Sequence, residues 1–436
     1  MSRPLSLLDL TPIVAGSTSG EAVRASVDLA VLADRLGYHR VWYAEHHNAP
    51  GLASGAPEIM IEHVASRTSR IRVGAGGVML PNHAPLKIAE TFRLLEALHP
   101  GRIDLGLGRA PGTDTITAFA MRRSAEAMTA DDYPEKLAEL LAFDDGAFPA
   151  DHPFRAIRPV PVDTRLPPVW LLGSSDFSAR LAAEAGLGFA FAAHINAQGA
   201  VPALRDYRAS FVPSPRYPEP WGILTVSVTI GETADHAREL SLINDLLLLR
   251  LRSGQLGTYP TLAEAKAYPF SAAERQVIAS MPMRSIVGDA EAVRREIGDL
   301  AERAGADEVM VTTFLPEPDD RRRMIEAVAR EFELEEGWSP AVALAASGGR
   351  DLPEKNRQTQ RSRLGSRDRP IGMVWASRAL GFGTAAGDPT RFGLTHMRRY
   401  RWLRRSLASR HSHTQVACQT WFLAWLSGFW GNSATE

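Results

Sequence analysis

Cysteine occurs once in 436 residues, at Cys418. A lone thiol excludes an internal disulfide and any cysteine-based metal cluster, and it suits a reducing compartment, so a cytoplasmic protein is expected. Net charge is scarce too. Forty-nine basic against fifty acidic side chains leave −1 overall, which gives the whole chain no electrostatic footprint for nucleic acid. The start, "MSRPLSLLDLTPI", lacks the apolar core and small-residue cleavage site of a secretion signal. A dinucleotide fingerprint is missing as well, because the glycines of "VGAGGVMLP" (Val73–Pro81) are spaced G-x-G-G and no helix follows directly.

The charge that is absent in sum is present in parts. From Ser339 onward fifteen Lys/Arg stand against five Asp/Glu, so this segment carries +10 and residues 1–338 carry −11. The stretch "ASGGRDLPEKNRQTQRSRLGSRDRP" shows neither helical nor strand period, and low order is expected there. The later "QVACQTWFLAWLSGFWG" is too short, and too polar at Gln415, Gln419 and Ser427, for a membrane span. Docking on a membrane surface, docking on a partner and an extension without function all stay open for it. The chain therefore divides into a body, 1–338, and a basic C-terminal extension of unknown role, 339–436.

Within the body, short apolar runs alternate with helical spacing. "LSLLDL", "RVWYA", "IRVGAGGVML", "RIDLGLG", "PVWLLGS", "GFAFAAH", "WGILTVSVTI" and "DEVMVTTF" are each followed by a helix-like segment, the first from Glu21 to Leu36 ending at Gly37. Uniformly apolar strands alternating with helices predict a parallel sheet covered on its faces, and eight repeats predict closure as a (β/α)8 TIM barrel. An open doubly wound sheet is the rival. An insertion, Arg252–Met283, precedes the last strand and is open to reading as a lid.

In a barrel, reactive groups sit just after strand C-termini. Four clusters stand there. Glu45, His46 and His47 follow the second strand; neighbours in a strand point to opposite faces, which disfavours both imidazoles on one metal. A hydrogen-bonded loop histidine and a proton-handling imidazole are the other readings. Gly76 and Gly77 let either a planar ligand or a β-bulge approach the backbone. Arg109, among Gly106, Gly108 and Gly112, fits a forked anion contact or a surface salt bridge. "LLGSSDFSARLAAEAG" offers hydroxyls and free N–H groups at a helix start, for a phosphate or for simple capping by Ser175 or Asp176. Arg109 and the serines together suggest a phosphate-bearing cofactor across the mouth.

"VWYAEHHN", "IRVGAGGVMLPNHAPLKIAETFRLLEALHPGRIDLGLGRAPG" and "PPVWLLGSSDFSARLAAEAGLGFAFAAHIN", in this order, resemble the bacterial luciferase-like flavin monooxygenases over roughly residues 3 to 335. The likeness is strongest to the single-chain, alkanal-monooxygenase-like branch. It implies a (β/α)8 barrel, a catalytic His46 with Glu45 and His47 in support, and a non-prolyl cis peptide at Gly76-Gly77 beneath the flavin ring. It also implies a phosphate site from Arg109, Ser174, Ser175 and Ser178. Reduced FMN and O2 would then oxygenate an aldehyde or another lipophilic organic substrate through a flavin 4a-hydroperoxide. A separate NAD(P)H-dependent flavin reductase would supply the cofactor, and a homodimer is the family's habit. A reactive cysteine of some luciferases corresponds to Gly108, and a glutamate of their phosphate loop to Ser174, so light emission is not implied. The rivals are a deazaflavin-dependent hydride-transfer enzyme, a non-catalytic flavin-binding barrel and a metal-dependent hydrolase.

Overall fold

Each strand of the barrel is made from a run whose both faces are apolar or paired, so each needs a neighbour on either edge and a cover on the outside. The computed structural model describes residues 3–334 apart from 125–126, 129–131 and 256. Its strands are β1 (Leu5–Asp9), β2 (Arg40–Tyr43), β3 (Arg72–Ala75), β4 (Val78–Met79), β5 (Ile103–Gly108), β6 (Val169–Gly173), β7 (Gly188–Ala192), β8 (Gly222–Ile230), β9 (Ser285–Gly288) and β10 (Glu308–Thr312). All pairings between them are parallel, and the order β1-β2-β3-β5-β6-β7-β8-β10 returns to β1, closing an eight-stranded (β/α)8 barrel. The open-sheet rival is thereby excluded. β4 lies beside β5, and β9 continues the edge of the long β8 beyond its pairing with β10.

The helices between strands are α1 (Ser19–Arg35), α2 (Pro57–Ala65), α3 (Pro85–Leu98), α4 (Thr115–Arg122), α5 (Tyr133–Asp145), α6 (Asp176–Ala185), α7 (Ala200–Ser210) and α8 (Ala234–Arg252). After these come α9 (Leu262–Ala267), α10 (Ala272–Ser280), α11 (Ala290–Ala304) and α12 (Pro318–Glu331). α1 starts at Ser19, ahead of the expected Glu21, because Thr18 and Glu21 close a capping box. The eight-unit reading passes over α4, β9 and α11. α4 buries one residue, Ala118, and so carries no apolar stripe; β9 is four residues long with Val287 exposed. None of the described helices is long and apolar enough to cross a membrane. The basic extension from 339 lies outside the described residues.

Alternate residues of each strand face the lumen. In the middle, Leu8, Trp42, Trp170, Ala190, Ile223 and Met310 fill it, with the Trp42 and Trp170 rings edge to face at 5.7 Å. At the N-terminal end the lumen is closed by charge. Arg40 donates to Glu308 through Nε (2.7 Å) and Nη2 (2.9 Å) and to Asp104 through Nη1 (2.8 Å), all three buried. Ser6, Trp42, Arg72 and Trp221 complete the carboxylates' hydrogen bonds, and the Arg40 guanidinium lies 4.7 Å over the Trp170 ring. Burial opposes the charge on Asp104, yet Arg40 and Arg72 overcome it and hold the carboxyl at about 2.

The insertion is folded and anchored. Tyr259 donates its N–H to Ile13 O (2.8 Å) and accepts from Ala15 N–H (2.9 Å), which ties it to the segment after β1. Thr261 with Glu264, and Ser271 with Glu274, form the capping boxes that start α9 and α10. A Cβ at Gly51 would stand 2.5 Å from Gly257 O, so the loop after β2 is pressed against the insertion.

Two outcomes are expected. Arg40→Met leaves two buried carboxylates without their shared cation and costs about 3–5 kcal/mol in urea unfolding. Gly51→Ala pushes the insertion off its seat, and limited proteolysis within 253–283 accelerates while the barrel's circular dichroism is unchanged.

Candidate active site

Glu45, His46 and His47 lie in the loop that leaves the C-terminal end of β2, just beyond the lumen-filling Trp42. Glu45 is buried, and its carboxylate gathers three donors: His47 Nε2 at 2.8 Å, His83 Nε2 at 2.8 Å and 3.0 Å from its two oxygens, and the Met79 N–H at 2.8 Å. Burial alone would raise its pKa; the bonds from His47 and His83, with the Met79 amide, prevail and hold it at about 2. An ionised carboxylate only accepts, so both imidazoles carry their hydrogen on Nε2. Among the described residues no group of histidine, cysteine or acidic side chains is arranged to hold a metal ion.

Burial drives His46 down to about 4 against the pull of Glu45, with His47 adding to the fall. The ring is therefore neutral at pH 7, able to accept one proton or donate another. The chain after β5 braces the histidine loop. His47 N–H donates to Gly112 O (3.1 Å), Thr113 Oγ1 donates to His47 O (2.8 Å), and Asn48 donates to Asp114 (2.8 Å), the N-cap of α4. Gly112 has φ +66°, and a Cβ there would lie 2.8 Å from Glu45 O, so glycine is required by both conformation and space.

The Gly76-Gly77 peptide is cis, as the resemblance implies. A Cβ on Gly77 would stand 2.7 Å from Gly106 O, and one on Gly76 would stand 2.9 Å from Leu8 Cδ1. Packing of neighbouring strands thus already demands these glycines. At Gly108 the Cβ position is 2.7 Å from the Met79 sulfur, so Met79 fills the space beside it.

Arg109 follows β5, two strands along the barrel from β2. No carboxylate pairs with it among the described residues, so the salt-bridge reading has no partner; its guanidinium instead lies 4.3 Å over the ring of Phe177. Phe177 is the second residue of α6, which brings Arg109 to that helix's N-terminus. Ser175 is the N-cap, yet its side chain makes no capping bond, and Asp176 pairs with Arg180 at 2.7 Å. The Ser174 carbonyl is held by Asn196 Nδ2 (2.9 Å), and Ser178 is buried beneath Gly173. A cation, an uncommitted hydroxyl and free helix N–H groups together suit a phosphate.

The sequence reading missed His83, His194, Phe177 and Asn196. His83 has no local signal, being 38 residues from Glu45. His194, in contrast, stands after β7 as His46 stands after β2, and the same strand-end rule would have found it.

A profile of the luciferase-like monooxygenase family matches residues 5–308. A luciferase-like monooxygenase of Escherichia coli K12 is 42% identical over 306 residues, 70% of this chain and 90% of that protein. The N-acetyl-S-alkylcysteine monooxygenase of Bacillus subtilis is 36% identical over 298 residues, 68% of this chain and 88% of that one. The crystal structure of apo-MsnO8 superposes with a TM-score of 0.71 at 37% identity, covering 77% of this chain and 99% of its own. Sequence, fold and relatives agree: the chain belongs to the luciferase-like monooxygenase family.

Proposed function

We propose that the protein is a flavin-dependent monooxygenase that uses reduced FMN and O2 to oxygenate an aldehyde or another lipophilic organic substrate. The observation that carries this reading is Arg109, without a carboxylate partner and set over Phe177 at the start of α6, beside a Ser175 hydroxyl that caps nothing. Those residues fit the phosphate of FMN. Arg109 takes its charge, Ser174 and Ser175 with the helix N–H groups take its oxygens, and Ser178 packs under the loop. The Gly76-Gly77 backbone, with no side chains in the way, would take the flat ring against it. Reduced flavin, when bound, supplies the electrons for oxygen activation.

The protein's own share is orientation and proton control. His46, neutral at pH 7, would hold or release a proton beside the bound ring, and Glu45 holds the loop through His47 and His83. Leu10, Leu52, Leu247, Tyr259 and Phe314 form an apolar cluster at the side of the mouth away from Arg109, which supports a lipophilic substrate. The Bacillus relative's name adds support for a small organic substrate. A separate NAD(P)H-dependent flavin reductase delivers the cofactor in the cytoplasm. The exposed Ile59, Leu94 and Leu98 on α2 and α3 support a homodimer.

Anaerobic titration with reduced FMN, followed by ¹⁸O₂ and mass spectrometry of the product, tests the reading. Binding with one ¹⁸O in the product is expected. Binding of reduced deazaflavin in place of FMN would replace it with hydride transfer. Arg109→Ala weakens reduced FMN by about 10- to 100-fold, the value of a charge-assisted phosphate contact. His46→Gln keeps that affinity within a few-fold and lowers turnover by about 10²–10⁴.

Glu45→Gln generates a pH signature. The folded carboxyl titrates at about 2, below the ordinary 4.5, so its stabilisation is complete above pH 4.5 and lost as pH falls toward 2. The variant is less stable than the native chain at pH 7 by roughly 3 kcal/mol, and urea midpoints of the two converge across that acid window.

A further inference from the structure

β8 and β10 carry hydroxyls into the upper lumen. Ile223 of β8 and Met310 of β10 belong to the lumen's packed core. Thr225 and Ser227, further along β8 in the same alternation, and Thr312, next in the β10 alternation, therefore share that face above the core. Ser227 and Thr312 are register partners, side by side at about one strand spacing. From Ser227 the row of polar groups continues. Ser227 Oγ lies 3.1 Å from Ser285 Oγ on β9, Ser285 Oγ lies 3.1 Å from Thr229 Oγ1, and Asn244 Nδ2 on α8 donates to Thr229 Oγ1 at 2.9 Å.

Both ends of this row are unsatisfied. Thr312 is 1% exposed and Asn244 6%, yet Thr312 Oγ1 and Asn244 Oδ1 have no hydrogen-bond partner among the described residues. A buried polar atom without a partner destabilises a fold, and each such atom calls for an explanation. Beside the row lies the apolar cluster of Leu10, Leu247 and Phe314, to which the insertion adds Tyr259 and Met283. Across the mouth stand the glycines. Around the closed sheet β8 is four strands from β3, and β10 four from β5, in either direction. Ser227 and Thr312 thus lie opposite Gly76-Gly77, which follows β3, and Gly106 of β5.

We propose that this row is the polar end of the substrate site, and that it recognises a neutral group able both to accept and to donate a hydrogen bond, as a secondary amide does. Thr312 Oγ1 donates to the carbonyl oxygen, Asn244 Oδ1 accepts the N–H, and the alkyl part lies against Leu10, Leu247 and Phe314. No side chain in the row is charged, so a carboxylate or ammonium would be buried there without a countercharge, which selects against it. A flat ring held against the glycines leaves its open face toward this row. The inference deepens the flavin monooxygenase reading, on which it rests, by naming the substrate's polar group.

The test is isothermal titration calorimetry of the full chain, without flavin, with N-hexylacetamide and with hexyl acetate. The two ligands share the carbonyl and the alkyl chain, and only the amide has an N–H. The native chain binds the amide about 3- to 10-fold tighter, the value of one hydrogen bond to a neutral acceptor. Thr312→Val weakens both ligands by about the same factor without lowering the urea midpoint, because the hydroxyl it removes has no partner in the fold. Asn244→Leu abolishes the preference for the amide. Equal affinity of the native chain for the two ligands, or binding of neither, would overturn the proposal. So would a Thr312→Val chain that loses stability and keeps its affinities, since the hydroxyl would then serve the fold alone, through a trapped water. If Asn244→Leu does not fold, Thr312→Val decides. Failure of the native chain to bind reduced FMN would remove the flavin reading while leaving the ligand preference intact, so the two failures are separable.

Discussion

One guanidinium inside the barrel organises the rest. Arg40 enters the lumen from the first residue of β2 and meets Asp104 of β5 and Glu308 of β10, with Arg72 of β3 on the far side of Asp104. Four strands are thereby set in register at one level, since a shift by one residue would turn a charged group out of the lumen and strand its partner. A buried ion pair seldom adds much net stability over an apolar equivalent. Its value here is specification: charges at this depth have one arrangement in which all are satisfied, and Ser6, Trp42 and Trp221 supply the remaining hydrogen bonds.

The consequences run up the barrel axis. With the floor sealed by charge and the middle filled by two tryptophans and aliphatic side chains, the lumen is a packed core and opens only at the C-terminal ends of the strands. His46 and His194 follow the C-terminal ends of β2 and β7, above that core. The depth and desolvation that depress both imidazoles follow from the same packing, so their neutrality at pH 7 is a property of the barrel more than of any one neighbour.

Outside the lumen a second buried charge does for the loops what Arg40 does for the strands. Glu45 draws in His47, His83 and the Met79 amide, and so joins the segment after β2 to the segment after β4. Gly112 and Asp114 then close on the histidine loop from the β5 side. The Arg109 site stands apart from this network, attached to α6 through Phe177, which separates the part of the mouth that suits an anion from the part that moves protons.

Strand alternation, the count of eight units and the residues at strand ends were legible because they are local properties: apolar runs, period and turn residues report on the nearest few positions. That rule picked out His46, Arg109 and the serines as residues after strand ends, which is where the structure has them, and His194 obeys it equally. β9 and α4 were not legible, since a short edge strand and a helix burying one residue leave little apolar pattern, whereas α11 was passed over although Val293, Ile297, Ala301 and Ala304 recur at helical spacing. The amino-acid sequence by itself determined the order of elements and which side chains point inward, through parity along each strand. Only the tertiary structure decided which side chains meet: His83 on Glu45, Phe177 under Arg109, Asn196 on the Ser174 carbonyl. Such meetings depend on barrel closure, which sets distances between residues that no local spacing records.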